Sequence, residues 1–429
     1  MVWAMLLSLG LIMMLGLPIA LALIIVSSIF ILIHNPNMNL LISGAARIYE
    51  GLLSYPLLAI PFFIFVGLVM NEGGMSERLF RFAKNMVGHL QGGLGHVNVV
   101  ASMIFAGMTG SAVAEAAGLG VVQIKAMKDE GYSAEFAGAL TAASSTIGPV
   151  IPPSIPFVIY AWLTGTSVAK LFLAGVIPGV TMGLSLMLMV AIISKKRNYP
   201  RHPLPSRREV FGNLKDAAFA IICPVLIIGG ILTGVFTPTE AGAAASLYAF
   251  VIVAFVYRSL TLKGLIKALS DTVYLTSKIM FVIAAAGFFS WTTNYLHISD
   301  QLLGDLLYLS EKPYIVSSMI VIILLILGCF LDGTAIMMIT IPMFLPVLNK
   351  VGIDLIHFGV VFTLSIMIGL LTPPFGLSLF TVSTITGLSV GQTAKSVVPF
   401  MMMLFIPLIL AIFWPTFSLF IPNLLMGAD

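Results

Sequence analysis

Charged residues are scarce in this chain. They make up 9% of its 429 residues, whereas hydrophobic residues make up 59%, and a soluble globular domain carries about 25% charged residues. The mean hydropathy of the chain is +1.09. This balance excludes a soluble enzyme or binding module and indicates an integral membrane protein that is surrounded by membrane lipid.

Three further absences narrow the class of protein. Only two cysteines occur, Cys223 and Cys329, both in apolar runs, which excludes a disulfide framework and a cysteine-rich metal cluster. Neither GxxxxGKS nor GxxxxGKT occurs, so the chain does not itself hydrolyse ATP. The net charge of +4 is not gathered into a basic and aromatic surface, so we expect no nucleic-acid partner. We also expect no organic cofactor.

Many stretches of the chain are uncharged and about 20 residues long, which is the length that a helix needs to cross the hydrocarbon core. The sequence therefore predicts an all-α, multi-pass membrane protein. Residues 1–33 are not followed by a small-residue cleavage site, so we interpret them as membrane helix and not as a removed signal peptide. Pro18, which matches Pro238 further on, leaves two interpretations open: two short spans with an outside N-terminus, or one long kinked helix.

Lysine and arginine gather in a few segments, which the positive-inside rule places in the cytoplasm. The longest segment, KKRNYPRHPLPSRRE, begins at Lys195 and is rich in proline. It lies near the middle of the chain, so we interpret 195–212 as a cytoplasmic linker between two halves. The other basic segments are Arg78, Arg81 and Lys84; Lys125 and Lys128; Arg258, Lys263 and Lys267; and Lys395.

The two halves repeat the same order of elements in opposite orientation. Each contains an apolar hairpin with a polar tip, followed by a long apolar segment that is broken by glycine and prolines. The basic segments make the first hairpin enter from the cytoplasm and the second from outside. This pattern predicts an inverted-topology repeat with two re-entrant helical hairpins and two broken helices. We expect N-terminal scaffold helices in 1–91, a first transport-domain half in 92–165 (hairpin 92–126, broken helix 133–163), scaffold helices in 166–312, a second transport-domain half in 313–386 (hairpin 313–350, broken helix 354–384), and a C-terminal scaffold helix in 387–429.

The two breaks are the main sign of function. GPVIPP, from Gly148 to Pro153, and GLLTPP, from Gly369 to Pro374, each remove backbone donors in mid-membrane. Such backbone cannot face lipid, so it is buried in protein or lines a wet cavity. Paired breaks in inverted halves indicate a transport site, in which carbonyl oxygens bind Na⁺ and a helix N-terminus faces an anion. A purely structural kink would explain a single break about as well as a transport site does. It explains two breaks in register much less well.

Oxygen-bearing side chains stand at the hairpin tips and beside the breaks, and such oxygens suit a hard cation. Asp332 is the most informative, because a carboxylate in an apolar hairpin costs at least about 2.5 kcal/mol unless it is paired or near water. We interpret it as a Na⁺ ligand or a hairpin anchor, with a solvated tip as the alternative. Glu115 caps or tethers the first hairpin. Candidate substrate-binding residues are Thr109, Ser111, Ser144, Ser145, Thr334, Thr372, Pro153 and Pro374.

Two other functions, those of a Na⁺/H⁺ antiporter and of an intramembrane serine protease, share features of this sequence. A Na⁺/H⁺ antiporter shares broken helices, but it needs a buried titratable group at their crossing, and the breaks themselves carry none. GMTGSA, from Gly107 to Ala112, resembles a serine-nucleophile loop of an intramembrane protease, for which a histidine base is required. His96 is the only plausible base in the sequence. We therefore expect a transporter and not an enzyme.

The segment from Asn71 to Gly120, followed by SSTIGPVIPPSIPFVIYA and by GLLTPPFG, resembles the large permease subunit of tripartite ATP-independent periplasmic (TRAP) transporters. The resemblance covers essentially the whole chain, and its combined motifs are specific. It implies an elevator-type secondary transporter in the bacterial inner membrane. Family substrates include sialic acid and C4-dicarboxylates, and within the family this chain looks nearest to sialic acid permeases.

The same resemblance implies partners and ions. A Na⁺ gradient would drive import of an organic acid anion, which a periplasmic substrate-binding protein delivers, and a small membrane subunit would extend the scaffold. Two or more Na⁺ ions are implied, with two sites near the hairpin tips. The first site maps onto Ser111, Gly148, Ile151 and Pro153, and the second onto Asp332, Thr334, Gly369, Leu371 and Pro373.

Overall fold

A computed structural model describes residues 2–373 and 376–427, without the side chains of residues 2, 3, 14, 109, 305–307 and 309. Every regular element in those residues is a helix, which confirms the predicted fold class. Within the described part of the chain, seven helical segments are long and apolar enough to cross a membrane: Tyr55–Glu72, Val168–Arg197, Arg207–Leu232, Pro238–Val256, Leu262–Tyr295, Gly333–Val351 and Val390–Phe413. The chain is therefore a multi-pass membrane protein.

The helices follow the predicted order along the chain. The N-terminal helices are α1 (Val2–Met14), α2 (Ile19–His34), α3 (Met38–Glu50), α4 (Ala59–Glu72) and α5 (Met75–Val87). The first hairpin and broken helix, with the helix after them, are α6 (Gly93–Thr109), α7 (Ala112–Ala117), α8 (Leu119–Asp129), α9 (Ala134–Ser145), α10 (Ile155–Thr164) and α11 (Val168–Arg197).

The second half has the matching elements after a set of connecting helices. The connecting helices are α12 (Arg207–Leu232), α13 (Pro238–Val251, continued by a π-helical turn at Ile252–Val256), α14 (Leu262–Tyr295) and α15 (Ile298–Leu309). The second hairpin, broken helix and C-terminal helices are α16 (Pro313–Gly328), α17 (Gly333–Val351), α18 (Leu355–Gly369), α19 (Leu377–Thr386), α20 (Val390–Phe413) and α21 (Thr416–Met426).

Residues 2–34 form two helices and not one long helix. The chain turns at Gly16, whose φ is +84°, and Pro18 precedes the first turn of α2. The C-terminal end of α2 lies beside the C-terminal end of α14, because the Asn35 amide donates a hydrogen bond to the Tyr295 hydroxyl at 3.3 Å. The two-segment interpretation of this region is therefore the one that the structure has.

The two broken helices cross side by side in antiparallel directions. At one end, a Cβ atom added to Gly138 near the start of α9 would lie 2.9 Å from Thr386 at the end of α19. At the other end, the Tyr160 hydroxyl of α10 donates a hydrogen bond of 2.8 Å to the Leu355 carbonyl at the start of α18. The two halves are therefore inverted relative to each other, as the sequence predicts.

Two neighbouring helices pack directly on the broken helices. In α11, a Cβ atom added to Gly179 would lie 2.4 Å from the Ile151 side chain in the first break. In α20, the Phe400 ring lies 5.7 Å from the Phe136 ring of α9, and Thr393 accepts a hydrogen bond from Ser383 of α19. The sequence placed both helices in a scaffold (166–312 and 387–429), and in the structure both pack directly on the broken helices.

The single C-terminal helix expected in 387–429 is wrong. Helix α20 ends at Phe413, and α21 starts at Thr416. Trp414 has the extended backbone that residues before proline adopt (φ −133°, ψ 85°). Pro415 has no N–H with which to continue the helix. The proline therefore divides this segment into two helices.

The basic linker lies across the base of the first hairpin. The Pro200 carbonyl accepts hydrogen bonds from the backbone N–H groups of Gly92 and Gly93, at 3.1 and 3.3 Å. The Glu130 carboxylate, at the other end of the hairpin, contacts His202 of the linker at 2.8 Å and Lys84 of α5 at 3.1 Å. The linker thus lies on the same face as Lys84 of α5, and the positive-inside rule assigns that face to the cytoplasm.

Glycine allows the second hairpin to touch its broken helix. A Cβ atom added to Gly328 would lie 2.6 Å from the Gly369 Cα atom, and one added to Gly369 would lie 2.7 Å from the Gly328 Cα atom. Small residues permit this kind of backbone contact between membrane helices. The position of the second hairpin tip therefore depends on this pair.

We expect Gly328→Ala to lower the melting temperature of the purified protein, because the methyl group overpacks the contact at a cost of about 1–3 kcal/mol. Gly229→Ala in α12 is the matched control, since a Cβ atom there has open space within 4 Å. A Gly328→Ala protein with the same melting temperature as the wild type and the control would contradict a tight contact at Gly369.

We expect single cysteines at Lys128 and Gln301 to react with impermeant thiol reagents from opposite sides of the membrane. Lys128 lies beside the linker, and Gln301 follows the far end of α14, which is 34 residues and so about 50 Å long. Cys223→Ser and Cys329→Ser provide the background, and labelling in intact cells is compared with labelling in inverted vesicles. Reaction of both positions from one side would refute the inverted halves.

Candidate functional site

Both hairpin tips and both breaks border one cavity of about 120 Å³. The first tip contributes Ser111 and the second contributes Asp332 and Thr334, while Pro149 and Leu370 come from the two breaks. Helix α14 adds Ile279 to the wall, which nothing in the sequence pattern marks as a site residue. The structure therefore brings the two inverted halves together at one place.

Four helices start at this cavity. The first residue of each helix lines it: Ala112 of α7, Ile155 of α10, Gly333 of α17 and Leu377 of α19. The first N–H groups of a helix have no partner within the helix, and the N-terminus carries a partial positive charge. The cavity therefore gathers four positive helix ends, of which three are capped by a side chain and that of α19 is not.

The first hairpin tip is built around Gly110 and Ser111. The Ser111 hydroxyl accepts a hydrogen bond of 3.4 Å from the Ala114 N–H and so caps α7. Gly110 has φ +57°, and an added Cβ atom would lie 2.9 Å from the Pro153 carbonyl oxygen. Glycine is needed here both for the left-handed backbone and for the contact with the break. The side chain of Thr109, a predicted substrate contact, is outside the described residues.

The second hairpin tip is built around Asp332. Its Oδ1 atom accepts hydrogen bonds from the N–H groups of Thr334 and Ala335, at 2.9 and 3.1 Å, and so caps α17. The neighbouring Cys329 thiol lies 3.0 Å from the Thr372 hydroxyl in the second break. Asp332 is therefore an anchor of its hairpin, and its carboxylate also borders the cavity.

The two breaks differ in the state of their carbonyl groups. Among the described residues, no hydrogen bond ends on the carbonyl oxygen of Gly148, Ile151 or Pro153. In the second break, the Gly369 carbonyl accepts hydrogen bonds from both the N–H and the hydroxyl of Thr372, at 3.0 and 2.5 Å. The first break thus offers free carbonyl oxygens, and the second uses one of its predicted ligands internally. Pro374 lies outside the described residues.

Ser144 and Ser145 do not border the cavity, although the sequence proposed them as substrate contacts. The Ser144 hydroxyl donates to the Asn98 amide oxygen at 2.6 Å, and the Ser145 hydroxyl donates to the Ala142 carbonyl at 2.9 Å. Both side chains are fully buried in the last turn of α9. The Ser144 hydroxyl thus joins α9 to the first hairpin, the Ser145 hydroxyl bonds within α9, and their role as substrate contacts stays a prediction.

A buried polar network that the sequence analysis missed holds the first hairpin to α9. The Asn98 amide donates to Thr141 at 2.7 Å, and the Gln123 amide donates to the Asn98 carbonyl at 3.1 Å. Ser102 donates to Ser144 at 3.2 Å. These polar residues inside otherwise apolar helices were the available signal, because such residues need partners in a membrane.

The protease interpretation fails on distance. His96 lies near the start of α6 and Ser111 follows its end. Thirteen residues of helix separate His96 from Thr109, which is about 20 Å at 1.5 Å per residue. A histidine base must lie within hydrogen-bond reach of its serine, so His96 does not activate Ser111.

The chain was compared with known proteins. The family model described as "Tripartite ATP-independent periplasmic transporter, DctM component" matches residues 6–417. The sialic acid TRAP transporter large permease protein SiaM of Vibrio cholerae is 43% identical over 413 residues, which is 96% of each chain. The C4-dicarboxylate TRAP transporter large permease protein DctM of Pseudomonas aeruginosa is 39% identical over 381 residues, which is 89% of each chain.

Among solved structures, the YdaH transporter of Alcanivorax borkumensis matches with a TM-score of 0.61 and covers 90% of each chain at 16% identity. This likeness concerns the fold alone. The family match spans nearly the whole chain and agrees with the breaks and hairpins described above. The chain therefore belongs to the DctM component family of tripartite ATP-independent periplasmic transporters.

Proposed function

We propose that this chain is the large permease subunit of a Na⁺-driven importer for an organic acid anion of the sialic acid or C4-dicarboxylate class. The observation that carries the proposal is the convergence of four helix N-termini on one cavity between the hairpin tips. This arrangement suits a carboxylate, for which helix N-termini are ready-made binding sites. The names of relatives at 43% and 39% identity support the substrate class.

The cavity wall explains how an anion is held without a basic side chain. Among the described residues that line the cavity, none is lysine or arginine. Ser111 and Thr334 add hydroxyl groups beside the helix N-termini. Charge compensation must therefore come from backbone dipoles and from a bound cation. Na⁺, when bound, supplies that positive charge and links substrate uptake to the sodium gradient.

The two breaks do not offer equally complete sets of oxygen ligands for Na⁺. Ser111 and the free carbonyl groups of Gly148, Ile151 and Pro153 would hold one ion, since oxygen ligands suit hard cations. Asp332 and Thr334, with Leu371 and Pro373, would hold a second. The Gly369 carbonyl joins them only if Thr372 releases it.

We further propose that the hairpins and broken helices move as one body, together with α11 and α20, in an elevator cycle in the bacterial inner membrane. The direct packing of α11 and α20 on the broken helices supports this grouping. A periplasmic binding protein would deliver the substrate, and a small membrane subunit would complete the fixed scaffold. These partners follow from membership in the family.

A Na⁺/H⁺ antiporter is the second candidate, and one observation favours it. Glu115 is a buried carboxylate beside the first break, whereas the sequence analysis found no titratable group in the breaks themselves. An antiporter needs no binding protein. Dependence on a binding protein therefore separates the two functions.

We expect uptake of labelled substrate into proteoliposomes to require an inward Na⁺ gradient, a periplasmic binding protein and the small membrane subunit. Choline replaces Na⁺ in the control, and sialic acid and a C4-dicarboxylate are tested with their respective binding proteins. Equal uptake in choline would contradict Na⁺ coupling. Ion exchange that proceeds without any binding protein would support the antiporter instead.

We expect Asp332→Asn to raise the half-saturating Na⁺ concentration for uptake about ten- to a hundredfold, which corresponds to losing about 1–3 kcal/mol of a charge-assisted contact. Asparagine keeps an oxygen that can accept from the Thr334 and Ala335 N–H groups, so the hairpin should stay folded. Asp354→Asn is the matched control, because Asp354 caps α18 through the His357 N–H at 2.8 Å and is not among the residues described at this cavity. Unchanged Na⁺ dependence at matched protein levels would show that Asp332 acts only as a cap.

A further inference from the structure

Glu115 is a buried carboxylate whose charge no described residue neutralises. Its side chain is 1% exposed on α7, one turn beyond the first hairpin tip. Neither carboxylate oxygen makes a hydrogen bond of normal geometry among the described residues, although the Ser102 hydroxyl lies beside the carboxylate. An unpartnered carboxylate is costly in an apolar interior. Within a membrane, such a group indicates that a ligand or ion pairs with it during function.

The hydroxyl and amide donors around the first hairpin are already committed. The Ser102 hydroxyl lies 3.2 Å from the Ser144 hydroxyl, to which it donates, and Ser144 donates its own proton to Asn98. The Gln123 amide donates to the Asn98 carbonyl and to the Ser102 hydroxyl. Ser102 is also the hydroxyl that neighbours Glu115, and its one proton cannot serve Ser144 and the carboxylate at the same time. A hydroxyl also leaves the negative charge in place, so the compensating positive charge must come from elsewhere.

The carboxylate lies against the first break at Gly148. A Cβ atom added to Gly148 would lie 2.6 Å from Glu115 Oε2 and 3.3 Å from the Ser145 carbonyl oxygen. Any residue larger than glycine would therefore displace the carboxylate. The Gly148 carbonyl accepts no hydrogen bond among the described residues. A carbonyl oxygen and a carboxylate oxygen that could both bind a cation therefore lie close together here.

The equivalent hairpin of the second half has no such group. Asp332 is the acidic residue there, and one of its oxygens is held by two backbone N–H groups of α17. Asp332 is half-buried and its carboxylate is used as a cap, whereas Glu115 is buried and caps nothing. The Glu115 carboxylate therefore depends more on an external positive charge than Asp332 does.

We propose that Glu115 is a direct ligand of the cation bound at the first break and supplies its compensating negative charge. The inference rests on the proposed Na⁺ coupling and goes beyond it, because the family resemblance implied only Ser111 and carbonyl oxygens at this site. A carboxylate with carbonyl oxygens forms a hard ligand set for an alkali cation. Gly148 has no side chain because the carboxylate occupies that space.

The test is the Na⁺ dependence of the melting temperature of the permease purified with its small membrane subunit, at constant ionic strength with choline as the replacement ion. A cation that binds the folded state raises the melting temperature as its concentration rises. In Glu115→Gln we expect a melting temperature in choline at or above that of the wild type, because an uncompensated charge is removed. We expect the half-saturating Na⁺ concentration to rise at least tenfold.

Glu135→Gln is the matched control, because Glu135 lies in the first turn of α9 at the far end of the broken helix, and its Na⁺ response should equal the wild type. A Glu115→Gln response within twofold of the wild type would overturn the inference and leave Na⁺ coupling intact. A wild-type protein that Na⁺ does not stabilise would overturn both. If Glu115→Gln does not fold, Gly148→Ala decides, since its methyl group displaces the carboxylate, and a wild-type Na⁺ response there would overturn the inference.

Discussion

Backbone groups that are freed in the middle of a membrane have to find partners inside the protein, and this requirement shapes the centre of the molecule. The first break is closed by Ser154, whose hydroxyl donates to the Pro149 carbonyl and accepts from the Phe157 N–H. At the second hairpin, the Asp332 carboxylate accepts hydrogen bonds from the Thr334 and Ala335 N–H groups at the start of α17. Helix starts that remain uncapped by side chains, as at Gly376, then face the cavity, where water or a ligand reaches them.

Inversion of the two halves follows from the same requirement. One broken helix alone would expose its free backbone to lipid on one side. Antiparallel packing of two broken helices, with Gly138 against Thr386 at one end and Tyr160 against Leu355 at the other, lets each cover the other. The hairpins then enter from opposite faces, and their tips fill the remaining sides. The close approach of Gly110 to Pro153 and of Gly328 to Gly369 shows how fully that space is used.

The sequence predicted the elements better than their grouping. The positions of proline and glycine in the sequence located the hairpin tips and both breaks, because these residues act locally on the backbone. Grouping depends on which helix faces meet, and α20 is apolar on every side from Val397 onwards, so the packing of Phe400 against Phe136 carried no sequence signal. Ser144 and Ser145 lie away from the cavity for a related reason. Their residue type suits a binding site, but their position in the last turn of α9 turns them towards Asn98 and Ala142.

Charge balance gives a physical reason why a site of this design would bind an anion and a cation together. Each helix N-terminus carries about +0.5 of a charge, so the four that meet at the cavity contribute at most about +2. Asp332, which is half-buried and lines the cavity, offsets part of that charge, whereas Glu115 is buried behind the first hairpin tip and needs a cation of its own. An anion or a cation bound alone would leave a net charge in a medium of low dielectric constant, where uncompensated charge is expensive. Joint binding avoids that cost, and it does so with backbone dipoles and two carboxylates in place of any basic side chain at the cavity.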